Sequence, residues 1–177
     1  MADVYAVSGT LLALGIAFPG LLAGSWLLFP DIVGRARVRA AGTPWRSFLL
    51  GVGAVLLTAI PVMILNAIPI GIAKLAAVLI VFGALGVATL GAAAVAAEMG
   101  DRLRAHAPSS LTSAGAFVRG AVALELAAAF PIVGWFLVIP GVLLLGFGAG
   151  VFALLRWLPR AHASSAAPRP ESFPSRA

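Results

Sequence analysis

Catalysis and cofactor ligation both need titratable or nucleophilic groups that converge, and this chain supplies few. It has no cysteine, which removes thiolate metal sites and disulfides. Its two histidines, His106 and His162, lie outside the apolar stretches, so no span offers an imidazole to a haem iron, a chlorophyll magnesium or a catalytic metal. A Gly-x-Ser-x-Gly turn, a phosphate-cradling Gly-x-x-x-x-Gly-Lys loop and paired carboxylates within one apolar span are all missing. The inventory predicts a protein that is not an enzyme, has no catalytic or metal residues and ligates no cofactor directly. Lipid or a pigment held by a neighbour can still contact its outer surface.

Three ionisable residues could carry polarity into apolar surroundings. Glu98 stands with Asp101 and Arg102 at the end of an apolar run and reads as a solvated helix end. Glu125 lies within Ala121-Val-Ala-Leu-Glu125-Leu-Ala-Ala-Ala129, where a carboxylate at membrane depth is by default a functional candidate. Lys74 enters a neighbouring apolar run and can reach inward to Glu125 or snorkel outward on its four-carbon stem. Glu125 and Lys74 are therefore the candidate intramembrane polar pair. A contact of Glu125 with a partner subunit, or a place on a proton or ion path, is the alternative.

The elements that hold these residues are apolar helices. Of 177 residues, 62% are hydrophobic and only 10% charged, with mean hydropathy +1.08, whereas soluble domains carry roughly 25% charged residues. The chain reads as an all-α, polytopic transmembrane protein. Val7 to Phe29 is uncharged and long enough to cross about 30 Å of hydrocarbon. The preceding residues offer only Asp3 where a cleavable signal would need a positive segment. Two further apolar blocks, each cut by prolines, suit helical hairpins: one near Pro61 to Gly71, the other near Pro131 to Gly141. The expected helices are about 7–29, 47–65, 72–97, 115–130 and 138–157, forming a domain over 1–158. Residues 30–46 are expected as an interfacial loop. The helix at 115–130 is short and either crosses or dips in and returns.

Every basic residue except Lys74 falls at 35–46, at 102–119 or from 156 onward. With five crossings and an external N-terminus, all three segments are cytoplasmic, as the excess of Lys and Arg in cytoplasmic loops requires. This distribution, almost without interleaved aromatics, accounts for the net charge of +6 by insertion and headgroup attraction and excludes nucleic acid as a partner. Residues 159–177, rich in Ala, Ser and Pro, read as a flexible cytoplasmic tail.

Small residues dominate the rest. Gly83, Gly86, Gly146, Gly148 and Gly150 are the candidate helix-packing positions, since in lipid close approach replaces the hydrophobic drive between helices. Their neighbours are helices of this chain or of another subunit. Trp26, Trp45, Trp135 and Trp157 fall near the predicted interfaces, as membrane anchors do.

The motifs Phe29-Pro30, Pro44-Trp45-Arg46-Ser47-Phe48-Leu49-Leu50-Gly51, Ile68-Pro69-Ile70-Gly71-Ile72, Arg119-Gly120, Phe130-Pro131-Ile132-Val133-Gly134-Trp135 and Gly146-Phe147-Gly148-Ala149-Gly150 give the chain a further likeness. Together with Gly91 to Gly100, they resemble the membrane domain attached to some bacterial polymer-forming cytoskeletal, bactofilin-type proteins, over about residues 8–157. The resemblance implies a helical domain in the bacterial inner membrane and no catalytic residues. The β-helical polymerising domain of that family has no counterpart in these residues. Two functions compete on this basis. One is a non-catalytic accessory or scaffold subunit that contacts the bilayer and other transmembrane subunits of a larger inner-membrane complex. Energy-transducing assemblies, such as a photosynthetic reaction centre with its antenna or a respiratory complex, are among the candidates. The other is a small oligomeric transporter or channel that uses Glu125. The topology is open to test, because the chain lacks cysteine. Cysteines placed at Ala2 and Ser165 should react with an impermeant thiol reagent in intact cells at Ala2 only; labelling at Ser165 and not at Ala2 overturns the orientation.

Overall fold

The computed structural model describes residues 2–106 and 112–156 and, in the first helix, the side chains of Tyr5, Gly9 and 15–28. The expected tail at 159–177, His162 and Trp157 lie outside the described residues. Within them every regular element is helical: α1 (Ala2–Leu28), α2 (Pro30–Gly42), α3 (Pro44–Ala67), α4 (Gly71–His106), α5 (Ser113–Ala129) and α6 (Ile139–Leu154), the last preceded by a π-helical turn at Gly134–Val138.

Prolines set the boundaries by constraining the residue before them. Thr43, Ile68 and Phe130 each precede a proline and each leave the helical region, with ψ of 64°, 124° and 120°. Phe29, before Pro30, does the same at ψ 54° and separates two helices bent by 107°. Pro19 and Pro61 lie inside helices that continue through them, as transmembrane helices tolerate. Pro140 is accommodated differently. Its ring would crowd the Phe136 carbonyl, and the turn just before it is widened to π geometry, with Ile139 N–H bonding the Gly134 carbonyl.

Three helical stretches are long and apolar enough to cross a membrane: α3, α4, and Gly134–Leu154 comprising the π turn and α6; a fourth is added if the bent pair Gly15–Leu28 and Pro30–Gly42 forms one broken span. Among the described residues, then, three or four of the expected five crossings are long and apolar enough, the first of them taken only from Gly15 onward. Helix α5, at 17 residues, is the short element that the sequence left between crossing and dipping. Three boundaries also differ. Residues 30–42 are helix and not loop, because Val33, Ala36 and Ala40 share one buried face. Helix α4 extends beyond Ala97 to His106, and the last helical stretch begins four residues earlier than expected, at Gly134.

The interior is built of small side chains. The buried set is mostly alanine, including Ala92, Ala93, Ala96, Ala121 and Ala149, while Leu57, Ile72, Phe82 and Phe136 face outward, each more than 65% exposed. This arrangement suits lipid, which solvates large apolar groups as well as a protein core does. Helix α6 lies against both α3 and α4 through its glycines. A β-carbon at Gly148 would overlap the Ser47 carbonyl oxygen of α3, and one at Gly51 would overlap the Leu144 carbonyl. On the α4 side, a β-carbon at Gly91 would overlap Gly146, and one at Gly150 would lie 2.6 Å from the Val87 carbonyl oxygen. Helix α5 meets α4 in the same way, Gly120 over Ala96 and Gly100 over Ala116. Gly83 and Gly86 are exposed with open space where a β-carbon would stand, so neither packs against another of the described residues. Gly148→Leu should therefore destabilise the purified protein by about 1–3 kcal/mol or more through overpacking, while Gly83→Leu should leave its thermal unfolding in detergent nearly unchanged. Equal melting of the two variants would contradict this packing.

Candidate functional site: a charged clamp at one end of the bundle

Helix α2 turns its buried stripe of Val33, Ala36 and Ala40 into the core and extends arginines to either side. Towards α6, Arg35 Nε donates to the Ala153 carbonyl at 3.1 Å, and the Arg39 guanidinium stacks over the Phe152 ring at 4.0 Å. Positive charge at a helix C-terminus meets the negative end of the helix dipole. Towards α4, Arg37 Nε donates to Glu98 Oε2 at 3.3 Å, and its Nη2 pairs closely with Asp101. Arg102 Nε donates to Glu98 Oε1 at 2.9 Å across one helical turn. The apolar run of α4 ends at Ala97, so this cluster stands beyond it.

The hydrogen bond from Arg102 holds the Glu98 carboxyl below its ordinary range; partial burial opposes this, and Arg37 adds to the lowering. Glu98 therefore stays charged and paired at neutral pH. A carboxylate lowered in this way stabilises the fold above its ordinary titration range, and the contribution is lost as acid protonates it. The Arg39 Nε and the Ser47 hydroxyl are buried without a hydrogen-bond partner. Leaving such a group unsatisfied costs about 1–3 kcal/mol. The cation–π contact to Phe152 is what compensates Arg39.

The predicted pair of Glu125 and Lys74 is not brought together. Lys74 is exposed on the first turn of α4. Glu125 is half-buried against α1, its Oε1 3.1 Å from the position a β-carbon on Gly15 would take. Gly120 of α5 sits over Ala96, which places Glu125 on the order of 25 Å from Lys74 along α4 at 1.5 Å per residue. Trp26 stacks on Phe117 at 4.9 Å between centroids, and Trp45 on Phe48 at 5.7 Å. Four polar side chains within the apolar helices are satisfied by their own backbone: Ser25, Thr58, Asn66 and Thr89 each donate to the carbonyl four residues earlier. No group of three or more His, Asp or Glu side chains able to hold a metal occurs among the described residues.

Sequence reasoning used Arg35, Arg37 and Arg39 only to orient the chain and missed the clamp they build. The available signal was the Val33, Ala36, Ala40 spacing behind Pro30, which fits a helix with one buried face. The pairs are partly exposed, Arg37 at 42% and Glu98 at 23%, so each is worth little individually. A double-mutant cycle of Arg37→Gln and Glu98→Gln should give a coupling of about 0.5–1 kcal/mol in thermal unfolding, and zero coupling would remove the clamp from the account.

Comparison with family models, with curated proteins and with solved structures yields no match to this chain.

Proposed function

We propose that the chain is a non-catalytic accessory or scaffold subunit of a larger bacterial inner-membrane complex, with its three arginine-bearing segments on the cytoplasmic side. The observation that carries this reading is the outward face of α4. Gly83 and Gly86 open onto empty space beside exposed Leu79 and Phe82, in a chain whose closest backbone approaches between helices are made at glycines. Glycine inside a helix is destabilising by roughly 0.5–1 kcal/mol relative to alanine, and its return in a membrane is close helix approach. Among the described residues nothing takes that approach at Gly83 and Gly86. A helix of another subunit would.

The resemblance to bactofilin-associated membrane domains favours the same role, an anchor or organiser without chemistry of its own. Reaction centres with antennae and respiratory complexes remain the proposed kinds of assembly, on the ground that they are built from packed transmembrane subunits. A transporter needs several convergent polar groups along its path. Here Ser25, Thr58, Asn66 and Thr89 bond to their own backbone, so among the described residues few polar groups besides Glu125 remain for such a path. Membranes of the source bacterium, solubilised in mild detergent, should carry the protein within a defined complex much larger than 17.9 kDa. Gly86→Leu should release it from that complex without changing the melting of the isolated protein. Migration of the wild type alone at its own size contradicts the proposal.

A further inference from the structure

The helices do not fill the space at the clamp end of the bundle. A cavity of about 580 Å³ lies between α5 and α6, within the roughly 300–1,000 Å³ of small-molecule sites. Val95 and Met99 of α4 line its base, Leu124 and Ala127 of α5 one wall, and Val138 and Gly141 the other. All are apolar. Polar groups enter only where Glu98 and Arg102 join the lining, beside Pro44 at the start of α3. The space is thus apolar along most of its length and charged at one end.

The charge at that end is positive. Residues 31–46 and 98–104 hold six arginines, at 35, 37, 39, 46, 102 and 104, against the three carboxylates Asp31, Glu98 and Asp101. Glu98 accepts from both Arg37 and Arg102. Arg102 uses only Nε for that contact, and its side chain is 70% exposed. Its terminal nitrogens remain available as donors, and a guanidinium carries five N–H groups. Arg46, next but one to Pro44, is exposed as well.

We infer that this cavity holds an acyl chain of an anionic phospholipid, with the phosphate at the Arg102 end. The apolar walls suit an alkyl chain and offer a free phosphate or a soluble metabolite nothing to bond. The guanidinium suits a phosphate oxygen, in contact that a choline headgroup weakens and a glycerol headgroup does not. Glu98 repels the phosphate but is already neutralised by two arginines. The site lies at the end of the bundle where the apolar run of α4 gives way to charge, the depth at which a phospholipid carries its own phosphate. The inference requires only that the chain is embedded in a bilayer and is independent of its being a subunit of a complex.

Native mass spectrometry of the full chain in mild detergent, with phosphatidylglycerol and phosphatidylcholine of equal chain length added in turn, tests this. One phosphatidylglycerol should be retained per chain, about fivefold more tightly than phosphatidylcholine, the effect of one arginine at a membrane surface. Arg102→Gln should erase that preference while leaving weak binding of both lipids. Ala127→Trp, which fills the cavity, should abolish binding of both. If that variant fails to fold, Gly141→Phe serves instead, since the β-position of Gly141 is open. Equal retention of the two lipids by the wild type, or undiminished binding after the cavity is filled, overturns the inference. So does a lipid-free dimer that the filling substitutions dissociate, because a second copy would then occupy the space.

Discussion

Close backbone approach at glycine is the contact on which the rest of this structure depends. In a bilayer, helices gain nothing by hiding leucine from lipid, so the bundle must be held by van der Waals contact over surfaces with little side chain. Helix α6 meets that requirement on two sides at once. Gly146 and Gly150, four residues apart, share the face that lies on α4, and Gly148 between them faces α3. A side chain at any of these positions would push α6 from the space between its neighbours. The large apolar residues are accordingly outside and the alanines inside, the reverse of a soluble core.

The clamp follows from the same geometry. With α6 held against α3 and α4, the bend at Phe29-Pro30 lays α2 so that its arginines reach the C-terminal carbonyls and Phe152 of α6 as well as the polar end of α4. Arg35 and Arg39 then serve α6 while Arg37 serves α4. The basic residues from which an orientation is expected are thus also the ones that tie three helices together. The ties are individually weak and partly exposed, and their contribution is to fix where α2 rests more than to raise stability.

Much of this architecture was legible in the sequence. Apolar run lengths identified most of the helices. What stayed hidden depends on helix neighbours. An arginine-rich segment of thirteen residues averages out as polar, so α2 read as a loop although its Val33, Ala36 and Ala40 face is buried. Glycine shows that a helix surface is open without showing what meets it. Gly146, Gly148 and Gly150 are filled by this chain while Gly83 and Gly86 are not. Lys74 and Glu125 were joined on charge alone, but the register of α5 on α4, set by Gly120 over Ala96, keeps them apart. Prolines posed the same difficulty: those at 30, 44, 69 and 131 follow a residue that leaves the helix, and those at 19 and 61 do not.

The central claim is a membrane bundle with small residues inside and large apolar residues facing lipid. Photolabelling of the wild-type protein in liposomes that contain a carbene-generating phospholipid, mapped by peptide mass spectrometry, measures that arrangement without a single substitution. Label should concentrate at Leu57, Phe82 and Phe136, and residues 91–97 and 146–150 should remain unlabelled. Uniform labelling along α4 and α6, or label within the glycine and alanine segments, would contradict the account.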